Sequence, residues 1–370
     1  MIAPLRTLKP VDGRQGPYVV IAGKRYLDLC SNDYLGLSGH PALWAAAQQA
    51  WGTYGFGATG SRLLSGDTAV FHALETDVAQ LKQTESALFL NAGFSANVGI
   101  LSAIVGPSDL VLMDRLCHAS IVDGVRLSGS RFLRFRHLDW AHLKSLLSIH
   151  RSESKRLLIV TESVFSMDGD ISDLAELVRI KTHYGAELYV DESHATGVYG
   201  DNGAGMTAVY GVEKAVDWVM GTFGKALGGF GAYFAGPAVR REHLIQHCRS
   251  LIYATAVPPM IAAANRAALA LLAQEPTHRQ RLLETTQWFR NTLAERGIQA
   301  LGSTPIVPIV LGTDERATAV ANALCEAGFW ARPIRYPSVP KDQARIRLTL
   351  NSLMPQEELG QLIDVLSAVL

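Results

Sequence analysis

Cysteine is scarce: Cys30, Cys117, Cys248 and Cys325 are the four in 370 residues, and they lie far apart. None forms a CxxC pair or a Cys/His cluster, so neither a zinc knuckle nor a disulfide framework is indicated and no metal is expected. Asp168-Gly169-Asp170 brings two carboxylates together, but a turn capping the next helix accounts for them. Long apolar runs are missing too. The most apolar stretch, residues 254–273, contains Pro258, Pro259, Asn265 and Arg266, which disqualifies it as a spanning helix. Residues 1–6 carry no apolar run of the secretory kind. Nor is there an excess of charge of one sign, with 34 Lys plus Arg against 34 Asp plus Glu. A nucleic-acid binder would show a basic footprint. The expectation is a cytoplasmic protein without membrane or nucleic-acid partners.

What the chain has is apolar substance. Hydrophobic residues make up 48% and charged residues 18%, in a length ample for a large core. Short apolar runs at 87–90, 110–113, 157–161, 188–191, 216–220 and 232–235 read as buried strands. Helix-period segments at 70–82, 96–105, 120–128 and 174–184 lie among them. Strands without polar alternation, separated by helices, indicate a mostly parallel sheet covered on both faces, an α/β fold. Beyond Pro258-Pro259 the texture changes. Helices near 261–273, 278–296, 317–327 and 356–369, with strands at 306–311 and 346–350, suggest a smaller α+β domain.

Two glycine-rich segments fail as nucleotide motifs. Gly55-Phe56-Gly57-Ala58-Thr59-Gly60 has neither the strand before it nor the helix after it that a dinucleotide fingerprint needs. A flexible substrate or subunit-contact loop is expected there instead. Gly221-Thr222-Phe223-Gly224-Lys225-Ala226 lacks the first glycine and the hydroxyl residue of a phosphate loop.

Lys225 is more informative than the motif it fails. It sits among Gly221, Gly224, Gly228, Gly229 and Gly231, just after a buried strand. Glycines allow close approach to a bound group, and a partly desolvated lysine there can form a Schiff base. Asp191 ends the strand in Leu188-Tyr189-Val190-Asp191, where ligand sites of α/β sheets lie. A carboxylate at that place can hold a pyridinium nitrogen protonated, and His194 is within reach of the ring's phenolic oxygen. His118 also follows a strand and offers a flat ring for stacking. Asn91-Ala92-Gly93-Phe94-Ser95-Ala96-Asn97 is a glycine turn opening a helix, whose free amides suit a phosphate. Together the four elements specify pyridoxal 5'-phosphate (PLP).

The same residues carry a family resemblance. Segments 31–37, 60–66 and 91–97, then His118-Ala119-Ser120, then 161–170, 191–197 and 222–231, resemble in content and order the α-oxoamine synthases. These are fold-type I, aspartate aminotransferase-like, PLP-dependent enzymes, and the likeness runs from Arg6 to the terminal helix. It implies an N-terminal segment over 1–35, a large PLP-binding α/β domain over 36–257 and a small C-terminal α+β domain over 258–370. Lys225 would carry the cofactor and act as the acid–base group. Asp191 would pair with the pyridine nitrogen, His118 would stack on the ring, and His194 would contact the phenolic oxygen with Ser166 nearby. Thr222 and the Gly93–Phe94 turn would hold the phosphate, helped by Thr255 of the other subunit of a homodimer. Asn32 and Arg347 would bind the amino-acid carboxylate. Arg6, with Arg335 and Ser338 of the 334–338 loop, would contact substrate, on the acyl side.

The reaction implied is a decarboxylative condensation of an amino acid with an acyl thioester. Members using glycine or serine share these residues. The whole-chain likeness favours L-alanine with a pimeloyl thioester, on CoA or acyl carrier protein. Two positions depart from the family pattern: Tyr336, where a second proline is common, and the Glu192-Ser193 pair before His194.

Overall fold

The computed structural model of the chain describes residues 7–370. It opens with a meander of three short antiparallel strands, β1 (Gly13–Gln15), β2 (Tyr18–Ile21) and β3 (Lys24–Asp28). These belong to the smaller of two compact units; the larger comprises His40–Phe165 and Ile171–Pro276.

The larger unit is built on a seven-stranded sheet. Its strands are β4 (Ser86–Leu90), β5 (Leu110–Asp114), β6 (Arg131–Phe135), β7 (Leu157–Glu162), β8 (Glu187–Asp191), β9 (Trp218–Thr222) and β10 (Ala232–Gly236). Their order is β4-β10-β9-β8-β7-β5-β6, with β10 antiparallel to both neighbours and every other pair parallel. Every residue of β5, β7 and β9 is buried, as continuous apolar runs require when helices cover both faces. Strand β6 is the exception. It lies at the sheet's edge, its Arg131 and Arg134 are exposed, and no uniform apolar run announces it.

The helices that accompany the strands include α1 (Pro41–Tyr54), α2 (Ala69–Lys82), α3 (Gly93–Ile104), α4 (Ala119–Leu127), α5 (Trp140–His150) and α6 (Leu174–Tyr184). Helix α6 matches its expected bounds because both ends are chemically marked. Asp173 accepts the Glu176 amide at 2.9 Å, and Gly185 closes the helix in the left-handed conformation. That cap falls to Asp173, so the Asp168-Gly169-Asp170 turn is not the capping element the sequence suggested. The apolar faces of α3 and α4 close one side of the sheet, with Ile100, Leu101, Ile121 and Val125 fully buried against Val111 and Met113.

The smaller unit is completed by residues 166–170 and Thr277–Leu370. Its strands β11 (Ile306–Gly312), β13 (Pro333–Ile334) and β14 (Ala344–Thr349) form an antiparallel sheet in the order β11-β14-β13. Between them in sequence, β12 (Phe329–Trp330) joins β3 in parallel, extending the meander to four strands. Helices Thr277–Glu295, Asp314–Glu326 and Gln356–Val369 complete an α+β arrangement.

The two expected boundaries shift. Helix Pro259–Gln274 packs on α1 and α2 and so belongs to the larger unit, which ends at Pro276 rather than at residue 257. The N-terminal segment is a part of the smaller unit rather than an arm. Leu27 and Leu29 donate backbone bonds to Gly328 and Trp330 at 3.0 Å each, and Thr349 donates to Leu29 at 3.0 Å. Among the described residues no helix is long and apolar enough to cross a membrane.

Candidate active site

A cavity of about 230 Å³ opens in the larger unit at the C-terminal ends of its parallel strands. Strand β8 delivers Asp191 to it, β9 delivers Thr222, and the turn between β9 and β10 delivers Lys225. His118 enters from the residue before α4, and Gly93 and Phe94 from the start of α3.

Lys225 Nζ lies 3.0 Å from His194 Nε2. The turn that carries it is tied down by short backbone bonds. Phe223 and Gly231 pair at 3.0 Å, Gly229 donates to Phe223 at 2.9 Å, and Gly228 donates to Lys225 at 2.9 Å. Thr222 Oγ1 donates to the Gly231 carbonyl at 2.8 Å and accepts from Gly224 at 3.1 Å. Gly231 adopts φ +102°, and a Cβ there would stand 2.6 Å from the Phe89 ring, so only glycine closes this turn without displacement.

Asp191 is buried, and its carboxylate is held from two sides. Oδ1 accepts the Ser193 amide at 2.8 Å, and Oδ2 accepts Asn97 Nδ2 at 2.8 Å. Asn97 is itself fixed, accepting Tyr189 OH at 2.5 Å and donating to Ser120 Oγ at 3.0 Å. His118 is pinned by its Nδ1, 2.7 Å from Ser120 Oγ, and by its backbone amide, 2.6 Å from Glu162 Oε1. Partial burial, assisted by Lys225 and opposed by Asp191, lowers the His118 pKa and favours a neutral imidazole. Glu162 itself is pushed up to about 8 by burial and by the neighbouring Asp191.

Helix α3 starts without a side-chain cap: Ala92 precedes Gly93 and offers no oxygen. Its first amides are therefore unspent and available to an anion. A pinned carboxylate, a lysine in a glycine turn, a flat neutral ring and an uncapped helix start form the donor set that PLP requires.

Of the residues singled out from the sequence, Gly93, Phe94, His118, Asp191, His194, Thr222 and Lys225 all line this cavity. Thr255 does not: it is exposed, and its carbonyl accepts Asn91 Nδ2 at 2.8 Å. Ser166, Asn32 and Arg347 come together in the smaller unit. There Arg347 Nε donates to the Ser166 carbonyl at 2.5 Å, Nη2 to Asn32 Oδ1 at 3.0 Å and Nη1 to Thr349 Oγ1 at 2.7 Å. Arg335 and Ser338 share a turn closed by the Ser338 amide on the Arg335 carbonyl at 2.9 Å. Arg6 lies outside the described residues.

Asn97, Ser120, Glu162 and Ser193 also line the cavity and received no role from the sequence. For Glu162 a signal was available, since it ends an apolar strand as Asp191 does. Glu192, next to Asp191, is fully buried and pairs with Lys82 of α2, which also reaches the Ala204 carbonyl. The second Glu192 oxygen accepts the Thr207 amide at 2.7 Å. The 55–60 glycines follow α1, with Gly55 as its C-cap, so no strand precedes them and the dinucleotide reading is excluded.

The comparisons with known proteins agree with this geometry. The family "Aminotransferase class I and II" matches residues 24–366. A curated 8-amino-7-oxononanoate synthase from Geobacter sulfurreducens is 45% identical over 98% of this chain and 94% of its own length. A serine palmitoyltransferase from S. paucimobilis, solved with a PLP adduct bound, superposes with a TM-score of 0.94 at 28% identity, covering 98% of this chain and 92% of its own. An 8-amino-7-oxononanoate synthase from Francisella tularensis superposes at 0.81 with 30% identity, covering 93% and 97%.

The chain belongs to the class I and II aminotransferase family and is a fold-type I, PLP-dependent enzyme. Within that class, the relatives that match it at 42% and 45% identity over nearly its full length carry the name 8-amino-7-oxononanoate synthase.

Proposed function

We propose that this chain joins L-alanine to a pimeloyl thioester, releasing CO2 and the free thiol, to give the 8-amino-7-oxononanoate used in biotin synthesis. The observation that carries this reading is the identity of 42% and 45% to synthases of that name over 98% of the chain. The serine palmitoyltransferases, at 28–30% identity, and the solved Francisella tularensis synthase, at 30%, share the fold at about the same distance in sequence, so the choice rests on the closer curated relatives.

PLP, when bound, supplies an electron sink for a carbanion at the substrate α-carbon. The protein's residues do the rest. Asp191, fixed by Asn97 and Ser193, would pair with the pyridine nitrogen and hold it protonated. His118 offers its neutral face to the ring. His194, which hydrogen-bonds Lys225, would contact the phenolic oxygen. The α3 amides would hold the phosphate, and Thr222 would join them by turning its hydroxyl from the Gly231 carbonyl. Lys225 would hold the cofactor and, when free, would take and return the proton at the α-carbon. Arg347 and Asn32 bind the amino-acid carboxylate, beside the Ser166 backbone, and Arg335 and Ser338 contact the acyl side.

The working form is a homodimer in which Thr255 of one subunit reaches the cofactor phosphate of the other, in the cytoplasm. Exposed Phe56, Leu63, Leu64 and Tyr253 support a subunit contact. The loop bearing three of them is tied to the Thr255 segment by the Ala256 amide on the Gly60 carbonyl at 2.9 Å.

The deciding experiment titrates the visible spectrum of the purified enzyme with L-alanine, glycine and L-serine, then supplies pimeloyl-CoA or pimeloyl-acyl carrier protein and assays product. A dominant response to L-alanine with 8-amino-7-oxononanoate formed supports the reading. A dominant response to glycine or serine moves the chain to a sister activity, and no PLP band at all overturns the proposal.

A further inference from the structure

Glu162 ends β7 directly opposite Asp191, the last residue of β8, in the parallel register of those strands. It is 3% exposed, lines the cavity, and its Oε1 accepts the His118 amide at 2.6 Å. His118 is thereby gripped twice, by Glu162 at its backbone and by Ser120 at its ring nitrogen. Nothing in the reaction as read above uses this carboxyl.

We propose that Glu162 is a positioning residue that anchors the backbone of His118 as a hydrogen-bond acceptor rather than as a charge. The charged groups that act on it are Asp191 and Asp114, which repel a second anion, and Lys225, which attracts one. Two buried carboxylates at neighbouring strand ends resist ionising together. Burial, the largest cause, and the two acids push the Glu162 carboxyl up to about 8, against the opposing pull of Lys225 and the His118 amide, so the acid form prevails at pH 7. An uncharged acid keeps a carbonyl oxygen for His118 without adding a second anion beside Asp191. The inference rests on the cavity being the PLP site.

The test compares Glu162→Gln and Glu162→Ala with the wild-type holoenzyme. Glutamine keeps the acceptor, so kcat/KM and PLP affinity at pH 7 should stay within about twofold of wild type. Alanine removes it and leaves the His118 N–H without its acceptor, so both should fall by about tenfold or more. As pH rises and Glu162 ionises, wild-type kcat/KM should fall relative to Glu162→Gln, which stays uncharged. Equal damage in both variants would mean the charge is required and would overturn the proposal. So would an alanine variant with wild-type values, or a pH response identical in wild type and Glu162→Gln. If the alanine variant does not fold, the glutamine variant and its pH profile decide alone. Failure of the wild type to bind PLP would instead sink the cofactor reading beneath it.

Discussion

Asn97 donates to Asp191 across 2.8 Å while accepting the Tyr189 hydroxyl at 2.5 Å. The hydroxyl can donate only to the amide oxygen, so the amide's NH2 end is committed to the carboxylate. An anion meant to pair with a pyridinium is thus oriented by a neutral donor, which stabilises its charge without neutralising it.

Replacing Asn97 with alanine should keep the fold and weaken the site. The expected result is a fall in kcat of about tenfold with a smaller effect on PLP binding, consistent with loss of one charge-assisted bond of ~1.5 kcal/mol. Steady-state kinetics beside equilibrium PLP titration would separate the two. Unchanged kcat would remove Asn97 from any role in orienting Asp191.

Lys225→Ala and Asp191→Asn should fail differently. The first should leave no PLP attached after borohydride reduction and denaturation, read by mass spectrometry. The second should retain that attachment and lose turnover by about 100-fold or more, because the carbanion forfeits its sink. Near-normal turnover in Asp191→Asn would refute the role given to that carboxylate.

Lys82 and Glu192 form a buried ion pair between α2 and the segment that bears His194. Lys82→Met should destabilise the protein by about 3–5 kcal/mol, since it strands a buried carboxylate. Adding Glu192→Leu should recover part of that loss. Denaturant midpoints of the two variants check the sign, and a double variant less stable than the single one would contradict it.

The Glu162 carboxyl also makes a thermodynamic prediction for the cofactor-free protein. Its pKa rises from 4.5 to about 8 on folding, so the folded state holds the proton more tightly. The contribution is fully present below about pH 4.5 and is lost as pH rises toward 8. Wild type should therefore lose stability relative to Glu162→Gln between about pH 5 and pH 8, with the difference level above that. Melting temperatures across this range give the measurement, and a constant difference would argue against the shift.

Much of this architecture is legible in the order of residues alone. Strands such as Leu157–Glu162 and Glu187–Asp191 are visible because burial on both faces leaves no room for polar alternation. Asp191, His118 and Lys225 stand out because strand ends of such sheets are where ligands sit. The edge strand Arg131–Phe135 escapes because one exposed rim admits arginines; β1 and β3 escape because they are short and polar, and apolar β2 because four residues are too few to set a period. Helix α1 carries Trp44 and Trp51 exposed, which blurs its apolar stripe. Glu162 ends an apolar strand as Asp191 does, so its place is legible though its bond to His118 is not. Asn97 is hidden because its partners, Asp191 and Tyr189, are distant in sequence and meet it only through helix packing on the sheet.

Strand β3 acquires its parallel neighbour only when Phe329 and Trp330 exist, whereas all seven strands of the large sheet have been made once Gly236 is reached. Synthesis from the ribosome therefore reverses the order in which the units can close. The larger sheet can be assembled while β1–β3, made first, still wait with an open edge for the end of the chain. A chain halted before Phe329 leaves that edge unpaired, with the Leu29 amide deprived of the Trp330 carbonyl.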